Sequence, residues 1–229
     1  MPSISQPPDA WHTSAIQSQR NDAAHPIDDP FFWDLYDSYG PRCEILGPVA
    51  GRDVLDLGCG TGRTIAHLAH QHGARGAGLD SSPAMTQHAT ARFAGIPGLR
   101  YVTADAVRHL AQHPLGYDVA LSRFGAVCFT DPFVLLPVVA AALRPGGVLV
   151  IAALAERPDG TSASAFPSFT PAALAQDDGS TVTVPRWVLS HGLWERMLAR
   201  DFDVQHVQRL ANPDHPRPVA SWLIRAVRR

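Results

Sequence analysis

The segment VLDLGCGTGR, residues 54–63, runs from an apolar strand straight into a turn carrying Gly58, Gly60 and Gly62, and from there into a helix. Glycines at such a junction supply positive φ and let backbone or ligand approach closely. A strand, a tight turn and a returning helix are the repeating unit of layered α/β sheets, so this one segment narrows the fold class sharply. The dinucleotide fingerprint spaces its glycines G-x-G-x-x-G around a pyrophosphate, whereas the spacing here is G-x-G-x-G with Asp56 two residues ahead. A carboxylate at that place repels phosphate and suits a cation.

The rest of the chain repeats the unit. Apolar runs predict strands at Asp53 to Leu57, Gly76 to Leu79, Leu99 to Thr103, Tyr117 to Leu121 and Val148 to Ala153. Between them, Thr64 to His72, Ser82 to Phe93 and Asp131 to Leu143 read as helices, the last two opening with a capping residue followed by proline. Alternation of this kind implies right-handed crossovers and a doubly wound, mostly parallel sheet. After the fifth strand the alternation lapses into an insertion over about 155–187, rich in Pro, Ser and Thr and carrying Phe166 and Phe169. A helix from Trp187 to Ala199 and the strands FDVQHVQRL and SWLIRAVR, an antiparallel edge pair, complete the chain. Residues 1 to about 29 read as a loosely docked tail. From Asp29, DPFFWDLYDSYGPRCEIL predicts a cap helix, with Pro30 in its first turn and Phe32, Tyr36 and Tyr39 on one stripe. Residues 1–45 are thus a tail and cap, and residues 46–229 one domain.

The formal charge of −2 gives no footprint for nucleic acid. No apolar run reaches the roughly 18 residues that a membrane span requires, and the N-terminal residues carry no basic flank before an apolar core. Cys43, Cys59 and Cys128 are odd in number and not spaced for zinc, so a reducing cytoplasm is the expected compartment and neither a disulfide framework nor a metal site is expected.

Asp80 closes the second strand 24 residues after Asp56, where open α/β sheets set an acid against ribose hydroxyls, and Asp105 closes the third. With these residues the segment from about 50 to 153 resembles the class I, Rossmann-like S-adenosylmethionine-dependent methyltransferases, of the bacterial small-molecule type. The resemblance implies a seven-stranded sheet whose last strand is antiparallel. It also implies that Asp56, Gly58, Cys59, Gly60 and Gly62 hold the methionine moiety of S-adenosylmethionine, with S-adenosylhomocysteine as product. By the same resemblance Asp80 takes the ribose hydroxyls, Ser81 and Met85 flank the adenine, Asp105 receives the adenine amino group and Ala106 offers a backbone N–H. Ser122 sits at the lip of the cofactor site, and Tyr36 or Tyr39 covers the methionine end, as N-terminal helices do in relatives. The Pro-Gly-Gly turn of LRPGGVLVIA and the SRFG tetrapeptide at residues 122–125 belong to the same likeness.

Methyl transfer from a sulfonium is an in-line displacement in which alignment and desolvation dominate. A base is needed only for an acceptor proton of high pKa, and His191, beside the insertion, is the candidate. His67, His70, His72, His88, His109 and His113 are expected to be solvated. Arg123 either pairs with a carboxylate of acceptor or cofactor or ties down its loop. Trp33, Tyr36, Tyr39, Phe166, Phe169 and Trp187 are core or pocket wall. Where they line the pocket, they favour a planar or apolar small-molecule acceptor. Cys43 and Cys128 are expected to be buried and inert. The residues after the fourth strand lack the motifs of base methylators, of metal-dependent catechol methylators and of arginine methylators. The remaining alternatives are a same-fold cyclase or aminopropyl transferase and a module that only binds the cofactor. All nineteen basic residues are arginine, which points to a GC-rich genome and to natural-product biosynthesis as the context. A monomer or a homodimer is expected.

Overall fold

The computed structural model describes Trp11 and residues 25–176, 179–216 and 218–229. Most of the predicted tail lies outside the described residues. Nine strands form. β1 (Asp53–Leu57), β2 (Arg75–Asp80), β3 (Arg100–Thr103), β4 (Tyr117–Arg123), β5 (Leu143–Leu154), β8 (Phe202–Leu210) and β9 (Ser221–Arg228) build one seven-stranded sheet in the order β3-β2-β1-β4-β5-β9-β8. β1 to β5 pair in parallel, and β9 runs antiparallel to both β5 and β8. The crossovers are α1 (Arg63–His72), α2 (Pro83–Arg92), α3 (Ala106–Ala111) and the pair α4 (Ala126–Phe129) and α5 (Pro132–Ala142). Winding reverses between β1 and β4, the place where such sheets receive ligands.

The central strands are buried on both faces, which is why they read as unbroken apolar runs. On one face Leu55, Leu57, Leu149 and Ile151 pack with Leu135 of α5 and with Trp194 of α6 (His191–Leu198). On the other, Val54, Val119, Leu121 and Val150 pack with Ile65 and Leu68 of α1 and with Phe31 and Trp33.

The predicted cap helix does not form. Residues 29–40 are a succession of turns and bends, followed by a short 3-10 turn at Cys43–Leu46. Aspartate side chains take the amides that a helix would need. Asp34 accepts from the amides of Ser38 at 2.7 Å and Tyr39 at 3.0 Å, and Asp37, at φ 54°, accepts from that of Phe32 at 2.6 Å. Local side-chain bonds of this kind compete directly with helix. The turns still deliver Trp33 fully into the core, its indole N–H donating to the Arg42 carbonyl at 2.9 Å.

The insertion is not structureless. β6 (Thr170–Ala175) and β7 (Thr181–Arg186) pair as an antiparallel hairpin apart from the main sheet. β8 carries a bulge between Val204 and His206, and only its end residues Phe202 and Leu210 are buried. Among the described residues no helix is long and apolar enough to cross a membrane.

Because Trp33 belongs to the same cluster as the central strands, Trp33→Ala is expected to lower the unfolding free energy by about 3–5 kcal/mol in urea titrations. A loss below about 1 kcal/mol would show that residues 29–40 lie outside the cooperative core.

Candidate active site

Three strand ends and one loop meet at the winding reversal. β1 delivers Asp56, only 3% exposed, and then turns through Gly58 and Gly60. A Cβ on Gly58 would stand 2.3 Å from the Ala126 amide nitrogen, because the chain leaving β4 lies directly on the glycine loop. Gly60, at φ 55°, has nothing within 4 Å of its Cβ position and faces open space. The loop is therefore packed backbone-to-backbone behind and accessible in front.

β2 ends in Asp80, whose carboxylate ties this loop to the next helix. One oxygen accepts the Gly60 amide at 2.9 Å and the other the Ser82 amide at 2.9 Å. Ser82 in turn caps α2, its hydroxyl accepting from the amide of Met85, while Ser81 is exposed. Asp105 caps α3 by accepting the Arg108 amide at 2.9 Å, with Ala106 buried beneath it.

Both inner carboxyls are pushed up. Burial raises Asp56 to about 7, with Arg123 opposing the shift and Asp80 adding to it. Burial also raises Asp80, against the amide hydrogen bonds that favour its charge. Among the described residues Asp56 accepts no hydrogen bond. A carboxylate left this dry and unpaired is costly when ionised, and a cationic ligand relieves that cost. Burial, with the charges of Asp56 and Asp80, lifts the Cys59 thiol well above its ordinary range, so it stays protonated and non-nucleophilic.

Ser122 lies fully buried and spends its hydroxyl within the scaffold. It donates to the Leu57 carbonyl at 2.8 Å and accepts from the Val127 amide at 3.3 Å, pinning β1 to β4 and to α4. Arg123 ties down the N-terminal segment. It pairs with Asp37 at 3.2 Å, donates to Thr64 at 3.1 Å and lies 5.3 Å over the Phe31 ring. Arg63 meets the same Asp37 carboxylate at 2.9 Å and also donates to the Asp29 carbonyl. Sequence reading missed Arg63 and Asp37. Arg63 follows the last glycine of the loop directly, which is the one local signal it left.

The remaining candidates fall elsewhere. Tyr36 stacks on His215 at 3.6 Å and its hydroxyl accepts from the Val219 amide, while Tyr39 is exposed. His191 stands exposed at the first turn of α6, its ring 5.1 Å from that of Trp222. His67 is not solvated as expected. It is buried, and Nδ1 lies 2.7 Å from the Ile27 carbonyl, because residues 25–33 fold over the face of α1 that an isolated helix would show to water. Cys128 is buried, with its thiol pushed up to about 12 by burial, whereas Cys43 is only half-buried and lies 3.2 Å from the His72 ring.

Against this geometry the relatives become informative. Residues 54–147 match the family described as "Methyltransferase domain". That matched segment is less than half of the chain. It contains every strand end named above and stops inside β5. A trans-aconitate 2-methyltransferase from Enterobacter is 33% identical over 51% of this chain and 48% of its own length. The chain thus spans about half the length of the curated relatives it matches. An S-adenosylmethionine-dependent methyltransferase from Mesorhizobium loti is 25% identical and superposes with a TM-score of 0.60 over 80% of this chain and 94% of that one. A cyclase shares the fold at a TM-score of 0.68 and 16% identity, over 96% of this chain and 95% of that one. The scaffold that this chain shares thus hosts more than one chemistry among its neighbours.

The raised Asp56 carboxyl makes the domain's stability pH-dependent in a defined direction. In the unfolded chain Asp56 ionises near 3.8, and in the fold only near 7, so its stabilising contribution is complete below 3.8 and is lost as pH rises to about 7. The stability of the ligand-free protein minus that of Asp56→Asn should therefore fall between about pH 4 and about pH 7 in calorimetric scans. A difference that stays constant across that window would show that Asp56 is not held protonated.

Proposed function

We propose that this chain binds S-adenosylmethionine across the ends of β1, β2 and β3 and transfers its methyl group to a small organic acceptor. The observation that carries this reading is a pair of carboxylates, Asp56 buried and Asp80 half-buried, flanking a glycine loop that opens to space at Gly60. A site built from poorly solvated carboxylates disfavours a pyrophosphate and favours a ligand that brings positive charge to Asp56 and hydroxyl donors to Asp80. When bound, that ligand supplies an electrophilic methyl group on a sulfonium.

The chain's own residues then divide the binding. Asp56 and the loop from Gly58 to Gly62 hold the methionine end, where Asp56 faces the ligand's positive charge. Asp80 takes the ribose hydroxyls while keeping the Gly60 amide in place. Ser81 and Met85 flank the adenine, Asp105 accepts its amino group, and the Ala106 amide completes that end. Ser122 acts one step back, by holding the β1 and β4 ends together. Arg123 and Arg63 clamp residues 29–37 beside the mouth through Asp37. Burial on this scale excludes water from the line of transfer, and alignment supplies the larger part of the acceleration. His191 remains the candidate base for an acceptor that must lose a proton. A cytoplasmic setting, a planar or apolar acceptor from natural-product metabolism, and a monomer or homodimer complete the reading.

Calorimetric titration with S-adenosylmethionine, S-adenosylhomocysteine and NADH tests the cofactor. Binding of the first two and not the third is expected. Asp80→Ala should weaken that binding by at least about tenfold, equivalent to about 1.4 kcal/mol. An unchanged dissociation constant in a folded variant counts against the assignment. Release of S-adenosylhomocysteine in the presence of acceptor separates methylation from the non-methylating chemistry that the same fold hosts.

A further inference from the structure

Among the described residues the other buried and half-buried arginines find a carboxylate, a hydroxyl or a backbone carbonyl, as Arg157 does at Thr170 and Arg225 at the Ile45 carbonyl. Arg63 and Arg123 share Asp37. Arg186, at the end of β7, is the exception. It is half-buried, and among the described residues it forms neither an ion pair nor a side-chain hydrogen bond. Burial pulls its guanidinium below the usual arginine range, and the buried thiol of Cys128 is the one titrating group that acts on it. That thiol is protonated at neutral pH and supplies no counter-charge. What the guanidinium does touch is a ring, lying 5.1 Å over the centroid of Phe129.

The position of this pair is fixed from both sides. Phe129 ends α4, the helix that begins where the chain after β4 lies on Gly58. Four helical residues span about 6 Å, so Phe129 stands one turn from the glycine loop. β7 is fastened to the same helix, the Trp187 amide donating to the Cys128 carbonyl at 2.7 Å. Trp11 packs edge-on against Phe129 at 4.6 Å, and Leu174 and Val184 of the hairpin complete an apolar wall. An unpaired guanidinium thus sits on an aromatic wall beside the loop, carried by the insertion.

We propose that Arg186 anchors the acceptor, binding a carboxylate on a small molecule whose planar or apolar body lies against Phe129. This rests on the reading of the glycine loop as the cofactor site. A planar fork above a ring is suited to a carboxylate held in two-point contact. One guanidinium balances a carboxylate's single charge, whereas a phosphate monoester would keep excess negative charge near Asp56 and Asp80. The insertion hairpin is then the specificity element of the enzyme, and neutral isosteres of the acceptor are poor ligands.

Benzoate, benzamide and phenyl phosphate share a ring and differ in charge, so they serve as probes. Each is titrated by ligand-observed NMR into the full chain, with and without S-adenosylhomocysteine. Benzoate is expected to bind at least about tenfold more tightly than either of the others, and Arg186→Gln to erase that preference while Arg186→Lys keeps part of it. Separate titration of S-adenosylhomocysteine into Arg186→Gln should match wild type, which verifies the fold. Absence of benzoate binding up to about 10 mM, or equal binding of benzoate and benzamide to wild type, overturns the proposal. A preference that survives in Arg186→Gln overturns it as well, and leaves Arg186 as packing for Phe129. Loss of S-adenosylhomocysteine binding in wild type would instead strike the cofactor reading, an outcome the benzoate titration without cofactor keeps distinct.

Discussion

Asp56, buried, and Asp80, half-buried, end adjacent strands, and the loop between strand and helix is organised around their carboxyls. Asp80 is stabilised by three backbone amides, among them that of Gly60, so the glycine turn and the second strand end are a single hydrogen-bonded object. Asp56 has no comparable support, and only Arg123 among its charged neighbours favours its ionised form. Arg123 is itself committed to Asp37. The electrostatics of the strand end and the docking of residues 29–37 are therefore one linked arrangement, and removal of any member shifts the others.

Backbone contact supplies the second constraint. Gly58 and Gly125 face each other so closely that neither can carry a side chain, a Cβ on Gly125 standing 2.4 Å from the Leu57 carbonyl oxygen. Ser122 bonds across the same gap to the same carbonyl. The winding reversal, which in a general α/β sheet is an open crevice, is here closed at its base by Gly58 and Gly125 and has open space at Gly60. Such geometry leaves room for a ligand in front of the loop and none behind it.

Much of this could be read from sequence because it is local. The strands and the helices α1, α2 and α5 follow from apolar periodicity within one element, and their observed ends differ from expectation by a residue or two, β5 excepted, which starts earlier through its Pro-Gly-Gly. Residues 29–40 misled because Phe32, Tyr36 and Tyr39 have helical spacing, while the deciding contacts run from the Asp34 and Asp37 side chains to backbone amides. His67 misled for a related reason, since its burial is supplied by a segment forty residues away. The hairpin of Thr170–Ala175 and Thr181–Arg186 is rich in residues that also make loops, so composition concealed it. Asp56, Asp80 and Asp105 were legible as strand-end acids. The pairing of Arg123 with Asp37 and the stacking of Arg186 on Phe129 were not, because each joins elements that only the finished fold brings together.

The arrangement of the outer strands has a further consequence. A sheet of seven strands must end somewhere, and an uncovered edge offers unpaired amides and carbonyls to any other extended chain. One edge here is β3, only four residues long. The other is β8, where the break in register between Val204 and His206 bends the strand, and where Asp203, Gln205, Gln208 and Arg209 line the rim. Bulges and charge on an edge make it a poor template. The long apolar strand β5, which alone would be prone to cross-chain stacking, is sealed between β4 and β9. Without β9 that protection is missing, so the covering of β5 depends on a strand that lies far along the chain, beyond the insertion.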